Sequence, residues 1–474
     1  MSPILSPNAA KLLNSSYIWY DYFGIPQVNG PSKMRAIQSI PSYISRATYL
    51  FVLAPSLPHN DLPTVVNKGT WQQRGWCRVE QSIYSLTRKG IADTAALTIH
   101  HAGFVQESVP MQWLYALPHK GDFTSEADRE VIETMIGKVA ANRVARLELQ
   151  ENPFDWRFMQ SILRYVSGKV SVQTEVNAWL RDMAFGRMTD AGSPDGWQPI
   201  HFATCEGNIA VVSSLLAAGI FVDAPTLGRG YSVMAARGLT PLMVAANYIP
   251  NRATNVEMVK HLVSSKADIH ARNDSGQQAI HFAALGPEAA ASLEFLLSCK
   301  ADAMSRDAAG ETPLHCATLT NATANVMRLE AIELLLKAGA DPQAVGGDLG
   351  LTPWHFLVPT GGPVTVQHFL DIKCDPNLQL PPHAARDAVK PGMAKHAEEN
   401  IAATLAVHGE GLTPLMFGVW IGNWETCEVL LKNGADANLQ TSTGRTAMDW
   451  LHDSKVFGGP TLELLKKYSG AWNI

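Results

Sequence analysis

The stretch Gly310-Glu-Thr-Pro-Leu-His-Cys-Ala317 decides the fold of the second half of this chain, because close copies of it recur. Each copy opens with a glycine and carries Pro or Ala three residues later, followed by an apolar residue. The other copies begin at Gly196, Gly238, Gly276, Gly350, Gly411 and Gly444. Successive glycines are 42, 38, 34, 40, 61 and 33 residues apart. A base period near the shortest of these spacings, with insertions, predicts a solenoid of stacked repeats.

A second phrase closes most of the units. It is clearest as Leu335-Leu-Lys-Ala-Gly-Ala-Asp341 and Leu430-Leu-Lys-Asn-Gly-Ala-Asp436. The paired leucines favour a helix with an inward face, and Gly339 and Gly434 suit the left-handed residue that ends a helix. In the opening phrase, Thr before Pro favours a helix start, because the hydroxyl caps free amides and Pro needs no donor there. The motif is carried by Thr240, Pro241, His281, Thr312, Pro313, His315, Thr352, Pro353, His355, Thr413 and Pro414.

Together the two phrases resemble the ankyrin repeat, in which Thr-Pro-Leu-His opens each unit. The resemblance covers residues 195–474, with about seven repeats and a large insertion at 380–410. It implies pairs of helices that stack into a curved solenoid with a concave groove and projecting loops. Proteins of this family bind other proteins through that groove, so the resemblance implies an interaction scaffold or adaptor.

Four histidines hold the same position in their repeats: His201, His281, His315 and His355. One interpretation of this alignment is a metal cluster. The other is a set of neutral imidazoles that form hydrogen bonds between adjacent turns. Stacked repeats lie roughly 10 Å apart, whereas a metal lies about 2 Å from its ligands, so the sequence favours the second interpretation and predicts no metal site.

Ankyrin repeats contact partners through loop tips and first-helix faces, so the resemblance implies partner-binding roles for Asn208, Tyr248, Trp420 and Trp424. The two tryptophans have an alternative role, which is to fill space beside the insertion. That insertion starts as a Pro-Pro-His loop and continues with an Ala-rich segment, 384–405, that favours an extra helix. Insertions in solenoids often lie on the binding face, but tolerated surface variation explains this one equally well.

Residues 1–120 have a different pattern, with β-branched and aromatic runs at 17–23, 49–53 and 96–100 that predict buried strands. Residues 32–47 show helical spacing that Pro41 would kink or end early. A second helix runs through Ile83 and Leu86. Alternating strands and helices favour parallel pairing, so we predict a small α/β domain with a parallel sheet.

Two segments of this region resemble TIR-type and fungal incompatibility (HET) domains. Trp19-Tyr-Asp-Tyr-Phe-Gly-Ile-Pro-Gln27 is similar to a Trp-x-Asp…Gln segment of HET domains. Arg74-Gly-Trp-Cys-Arg-Val-Glu80 is similar to the Trp-Cys-x-x-Glu that opens a helix in plant TIR domains. One departure is that TIR domains have an earlier strand and loop, for which the residues before Tyr17 leave little room. The domain is therefore truncated, unusually short, or different.

In catalytic TIR domains the glutamate of that motif assists cleavage of the nicotinamide bond of NAD, and this points to Glu80. A carboxylate suits the task because it stabilises positive charge that develops at the anomeric carbon of the ribose. The alternative is that Trp76 and Cys77 are core residues and Glu80 caps or charges the first helical turn. Under that alternative the chain has neither a catalytic residue nor a cofactor.

Residues 121–194 favour helices, visible in the spacing of Val131, Met135, Ile136 and Val139. We expect these helices to form a connector that covers the first repeat, because the end of a solenoid needs a polar cap. The predicted fold is therefore mainly α. It is an ankyrin-repeat solenoid preceded by a helical connector and a small α/β domain.

The composition limits the function classes. The net charge is −5, so no basic excess favours nucleic-acid binding. The six cysteines are spread out and form no Cys-x-x-Cys pair, which predicts reduced thiols. The sequence shows no signal-like start and no apolar run of about 18 residues. We therefore expect a cytoplasmic protein that does not insert into membranes and binds other proteins, with an N-terminal domain that signals by self-association or binding.

Overall fold

A computed structural model describes most of the chain. The described residues are 31–47, 50–53, 57–58, 65–66, 71, 73–87, 97–101, 104–107, 117–123, 126–147, 153–167, 173–190, 196–228, 237–248, 252–285, 289–319, 325–393, 401–453 and 460–469. The predicted strand at 17–23 and the HET-like segment at 19–27 therefore lie outside the described residues.

The N-terminal part begins with helix α1 (Pro31–Arg46), which contains Pro41 and continues beyond it. The helix therefore does not end early at the proline. Ile37, Ile40 and Ile44 lie on one face of α1 and are buried. Burial of this apolar face favours helix on both sides of Pro41, since tertiary packing supplies most helical stability in proteins.

Short strands follow α1, together with helix α2. In chain order they are β1 (Phe51–Leu53), β2 (Leu57–Pro58), β3 (Val65–Val66), α2 (Gly75–Leu86), β4 (Leu97–His101) and β5 (Phe104–Glu107). β1 pairs with β4 in parallel, whereas β5 pairs with β4 and β2 pairs with β3 in antiparallel. The three-stranded sheet, with strand order β1-β4-β5, is therefore mixed and not purely parallel. The reason is that β5 follows β4 after a connection that is short enough only for antiparallel neighbours. The larger α/β domain stays a prediction.

Three described helices lead to the array: α3 (Glu126–Arg146), α4 (Pro153–Ser167) and α5 (Val176–Asp182). α4 packs on the first helix of the array and α5 on the second helix. Phe154 of α4 meets Trp197 edge to face, with ring centroids 5.3 Å apart. Arg157 Nε donates to the Met183 carbonyl at 2.9 Å, and its guanidinium lies 4.1 Å from the centroid of the Phe185 ring. The pair α4 and α5 therefore covers the first repeat as a further helix pair.

The array consists of helix pairs, which we number as repeats 1 to 7. Repeats 1 to 5 are α6 (Pro199–Cys205) with α7 (Ile209–Ala217), α8 (Pro241–Tyr248) with α9 (Arg252–Ser264), α10 (Ala279–Leu285) with α11 (Ala289–Ser298), α12 (Pro313–Leu319) with α13 (Asn325–Lys337), and α14 (Pro353–Thr360) with α15 (Pro363–Asp371). The insertion follows and contributes α16 (Ala384–Met393) and α17 (Ile401–His408), which carry no repeat number. Repeats 6 and 7 are α18 (Pro414–Ile421) with α19 (Trp424–Lys432), and α20 (Ala447–Asp453) with α21 (Pro460–Ser469). Among the helices described here, none is both long and apolar enough to cross a membrane.

The helices begin and end where the two sequence phrases predict. Thr352 Oγ1 accepts the His355 amide at 3.3 Å, and Thr413 Oγ1 accepts the Met416 amide at 3.2 Å. These side chains satisfy amides that have no partner within the helix. The second helix of repeat 4 ends in Gly339 with φ 92°. In repeats 2, 3 and 5 a lysine takes this left-handed position, namely Lys266, Lys300 and Lys373, with φ of 72°, 70° and 71°.

The core lies between the layer of first helices and the layer of second helices. First helices pack side by side along the whole array, from α6 to α20, and α4 extends this row. The predicted inward leucines Leu335 and Leu430 are fully buried, as are Leu314 and Leu415 of first helices. Full burial of one such side chain contributes roughly 1.5–3 kcal/mol. The interfaces between neighbouring repeats therefore stabilise the array.

The insertion at 380–410 is a pair of helices, α16 and α17, that pack on each other. The predicted single helix at 384–405 is wrong, because Pro391 and Gly392 weaken helix near the end of α16. The two ends of the insertion are joined by the Leu380 amide, which donates to the Leu412 carbonyl at 3.0 Å. The Gly411 amide in turn donates to the Leu380 carbonyl at 2.9 Å.

Candidate protein-binding surface

The four aligned histidines link repeats 1, 3, 4 and 5 to the repeat that follows each of them. We call the segment between the second helix of a repeat and the first helix of the next a finger loop. The imidazole Nε2 of each histidine lies 2.9–3.2 Å from a carbonyl oxygen of the following finger loop. The residues are His201, His281, His315 and His355. Since a carbonyl only accepts, Nε2 carries the proton and Nδ1 is free to accept.

Nδ1 satisfies the start of the same helix. In His315 it accepts the Thr312 amide at 3.0 Å, and His201 and His281 do the same with the amides of Gln198 and Gln278 at 3.1 Å. Burial lowers the pKa of His201, His315 and His355 to about 4 and also lowers the pKa of His281. The imidazoles are therefore neutral at pH 7. Both ring nitrogens of each histidine thus have hydrogen-bond partners, as the hydrogen-bonding interpretation expects.

Repeats 2, 6 and 7 have other residues at this position. The Sδ atoms of Met243 and Met416 accept the amides of Thr240 and Thr413 at 3.5 Å. Asp449 Oδ2 accepts the Thr446 amide at 2.8 Å. A thioether and a carboxylate have no proton to donate to the following loop. The histidine therefore serves the link between repeats, and the helix start alone does not require it.

The finger loops are joined by a row of side chains that sequence reasoning missed. Arg272 Nη1 donates to the Arg306 carbonyl, and Arg306 Nη1 donates to the Val345 carbonyl, both at 2.7 Å. Gln379 Nε2 donates to the Gln440 carbonyl at 2.9 Å. All of these residues stand four positions after the aspartate that follows a second helix, and this shared spacing is the signal that marks them. The bonds hold neighbouring loop tips at a fixed spacing.

Trp420, a predicted partner-binding residue, is half-buried on α18. Its ring centroid lies 4.9 Å from that of Trp450 in an edge-to-face contact, and 6.0 Å from that of Phe417. The Arg445 guanidinium lies over Trp450, 5.8 Å from the ring centroid. These contacts join the first helices of repeats 6 and 7. Part of the Trp420 side chain stays exposed at this end of the array.

The other predicted partner-binding residues have different surroundings. Trp424 is half-buried at the start of α19, which is a second helix. Asn208 is only 3% exposed; its Oδ1 accepts the Val211 amide at 3.2 Å and its Nδ2 donates to the Gln173 carbonyl at 2.8 Å. Its side chain is occupied inside the fold, so we remove it from the candidate surface. Tyr248 ends α8, and its side chain lies outside the described part of the protein.

Glu80 lies in the second turn of α2 and is half-buried. The first turn of this described helix contains no acidic residue, so the prediction that Glu80 charges the first turn is wrong. Trp76 is partly buried against the core, and its Nε1 donates to Asp128 Oδ2 at 3.1 Å. The Trp-Cys-x-x-Glu segment therefore joins α2 to α3.

Comparisons with known proteins identify the repeated unit. A family model described as ankyrin repeats (3 copies) matches residues 174–273 and 242–346. The model of a single ankyrin repeat matches residues 410–442. The first match begins within the segment assigned to the connector and includes α5. No curated protein matches the sequence.

Solved ankyrin structures are similar to part of the chain. The crystal structure of the ankyrin repeat domain of Bcl-3, described as a unique member of the IkappaB protein family, is 23% identical with a TM-score of 0.39. That comparison covers 57% of this chain and 99% of the other. The human ASB11 ankyrin repeat domain is 18% identical with a TM-score of 0.41, covering 57% of this chain and 97% of the other. From the family matches, we conclude that the chain contains ankyrin repeats.

Proposed function

We propose that the chain binds a partner protein in the groove formed by the first helices and the finger loops. The row of loop-to-loop bonds made by Arg272, Arg306 and Gln379 carries this proposal, because it presents exposed loop tips at fixed spacing. A preorganised surface loses little conformational entropy when it binds. Ankyrin repeats generally mediate binding to other proteins, so the array acts here as the recognition arm of a scaffold or adaptor.

Trp420 is our candidate anchor within this groove. It combines a partly exposed ring with support from Trp450 and Phe417. Partly exposed aromatic residues with fixed orientation often dominate the binding energy of an interface. The tip of the finger loop between repeats 6 and 7 includes Ser442, which is exposed and whose amide donates to the Glu410 carbonyl at 2.9 Å.

Affinity capture with the full chain tests the proposal, with bound proteins quantified by mass spectrometry. Trp420→Ala removes the anchor, and Ser442→Arg obstructs the loop tip without touching the core. We expect each change to reduce capture of the same proteins by about 10-fold or more. The matched control is Val364→Ala, because Val364 is 69% exposed on the second helix α15. Equal capture by all four proteins would remove the groove from consideration.

A second hypothesis concerns residues 1–120, with their TIR-like and HET-like segments. The observation that favours it is that α2 begins at Gly75, within the Arg74–Glu80 phrase, and lies in the chain between the parallel partners β1 and β4. On this hypothesis Glu80 assists hydrolysis of NAD, and the array recruits the target. Nicotinamide release by the purified full chain at high protein concentration tests it. If no nicotinamide is released, the NAD hypothesis is rejected and only the proposal of partner binding remains.

A further inference from the structure

Six of the second helices form two packed blocks. α9, α11 and α13 of repeats 2 to 4 pack in sequence, and so do α15, α19 and α21 of repeats 5 to 7. Between the blocks, the described side chains leave a cleft of about 470 Å³. Leu329 of α13, Val364 and Gln367 of α15, and Val429 of α19 line this cleft. Val364 stays 69% exposed there.

The finger loops change their mode of contact at the same junction. In the repeats before the junction, backbone amides join successive finger loops at 2.9–3.0 Å. The amides of Asp274, Ala308 and Gly347 donate to the carbonyls of Arg237, Ser275 and Ala309, respectively. The side-chain row stops here as well, because Val345 stands where Arg272 and Arg306 supply donors. An aliphatic side chain has nothing to donate to the next loop.

Arg386 of the insertion bridges this junction. Its Nη1 donates to the Leu349 carbonyl at 3.1 Å, and its Nη2 donates to the Pro381 carbonyl. The side chain is fully buried, and its Nε has no hydrogen-bond partner among the described residues. His383 packs on Gly350, where a Cβ atom would lie only 2.5 Å from the imidazole Cγ. The insertion thus contacts the finger loop of the preceding repeat through a buried guanidinium.

The first helices remain continuous across the junction. α12 packs on α14, and His315 Nε2 lies 3.2 Å from the Leu351 carbonyl. The layer of first helices is therefore closely packed here, while the described side chains of the second helices leave a cleft. Repeats joined closely through their first helices, with a cleft between their second helices, resist sliding past each other but can rotate about the first helices.

We propose that the array bends at the junction between repeats 4 and 5, with α12 and α14 as the pivot and Arg386 as the restraint. The bend changes the width of the cleft between α13 and α15. It also changes the spacing of the finger loops on either side, which sets the curvature of the groove. Arg386 acts as a positioning residue, since it holds the insertion against the loop that contains Leu349. The bend is a property of the free chain and requires no partner.

Distance measurements between spin labels test the bend directly. One pair replaces Lys337 and Lys432, on second helices of repeats 4 and 6, across the junction. The control pair replaces Lys260 and Lys337, on repeats 2 and 4, within one block. All three lysines are exposed and form surface ion pairs, which contribute little. Labels attached to a genetically encoded amino acid avoid the six native cysteines.

We expect the distance distribution across the junction to be about twice as wide as that within the block. Equal widths in the wild-type chain would overturn the bend, and this comparison needs no change at Arg386. Arg386→Met then tests the restraint: it should widen the junction distribution further and leave the control pair unchanged. Lys390→Met is the matched control, because Lys390 is on the same helix and makes a 3.7 Å ion pair with Asp387.

Hydrogen exchange gives an independent measure of the restraint. Removal of Arg386 should speed exchange of the amides of α16 about 10-fold, while those of α8 and α10 keep their rates. Unchanged exchange in α16 would refute the role of Arg386. Arg386→Lys serves if the methionine variant does not fold, because it keeps the charge but cannot reach both carbonyls.

Discussion

His315→Met separates the two tasks of the aligned histidines. Repeats 2 and 6 already carry Thr-Pro-Leu-Met in place of Thr-Pro-Leu-His, and their Met Sδ accepts the Thr amide at 3.5 Å. The substitution therefore keeps a helix start that this chain already uses. It removes the Nε2 donor, which lies 3.2 Å from the Leu351 carbonyl. Loss of one buried hydrogen bond costs roughly 1–3 kcal/mol.

The substitution also removes a titrating group. Burial lowers the pKa of His315 to about 4, against about 6.5 for an unfolded histidine. As the pH falls below 6.5, the unfolded chain takes up the proton first, so the folded state loses stability until the pH reaches about 4. The stability due to neutral His315 is therefore fully present above pH 6.5. Linkage gives a loss of about 2 kcal/mol between pH 7.5 and pH 5.0 for this single group.

Urea unfolding of both proteins at pH 7.5 and pH 5.0 measures the effect. At pH 7.5 the variant should be less stable, by the cost of the lost hydrogen bond. At pH 5.0 the wild type should have lost about 2 kcal/mol more than the variant, so the difference shrinks or reverses. Comparison of the two proteins cancels other groups, including Glu311, whose pKa burial raises to about 7. A stability difference that is the same at both pH values would refute the assignment of a buried neutral imidazole.

Three further predictions concern other parts of the chain. Lys300→Gly should raise the free energy of unfolding by about 0.5–1 kcal/mol, because glycine adopts φ 70° without steric cost; a loss of stability in urea would contradict this. Leu335→Pro should cost about 3 kcal/mol or more, and faster hydrogen exchange should extend to repeats 3 and 5; unchanged denaturation would disprove the repeat register. Glu80→Gln should abolish nicotinamide release in a folded protein if the NAD hypothesis holds, whereas no release by the wild type would reject that hypothesis.

The repeat register was predictable because each repeat uses short local phrases. Thr413 and Pro414 set a helix start within four residues, and Gly339 sets a helix end in the same way. The histidine links were predictable in kind for the same reason. The family matches at 174–346 and 410–442 agree with this register.

The loop-to-loop bonds were not predicted, because both partners lie in different repeats. Arg272 and the Arg306 carbonyl are 34 residues apart, and Arg386 and the Leu349 carbonyl are 37 residues apart. Neither pair forms a local sequence pattern, and from sequence alone an arginine on a loop is expected to be a solvent-exposed charge. The position of Asn208 in the repeat predicts an exposed loop tip. Its burial depends on Gln173 of the preceding helix pair, which is not part of the repeat phrase.

The position of the insertion is informative about its role. In a solenoid, stability is the sum of unit terms and nearest-neighbour terms. At the junction of repeats 4 and 5 two neighbour terms are weaker: Val345 donates nothing, and the second helices leave a cleft. A tolerated surface insertion would leave the bonds of its neighbours unchanged. This insertion instead provides Arg386, whose buried guanidinium reaches back to Leu349, so the chain adds a donor where the regular row lacks one. That correspondence favours an insertion that controls the curvature of the groove over one that merely extends a loop.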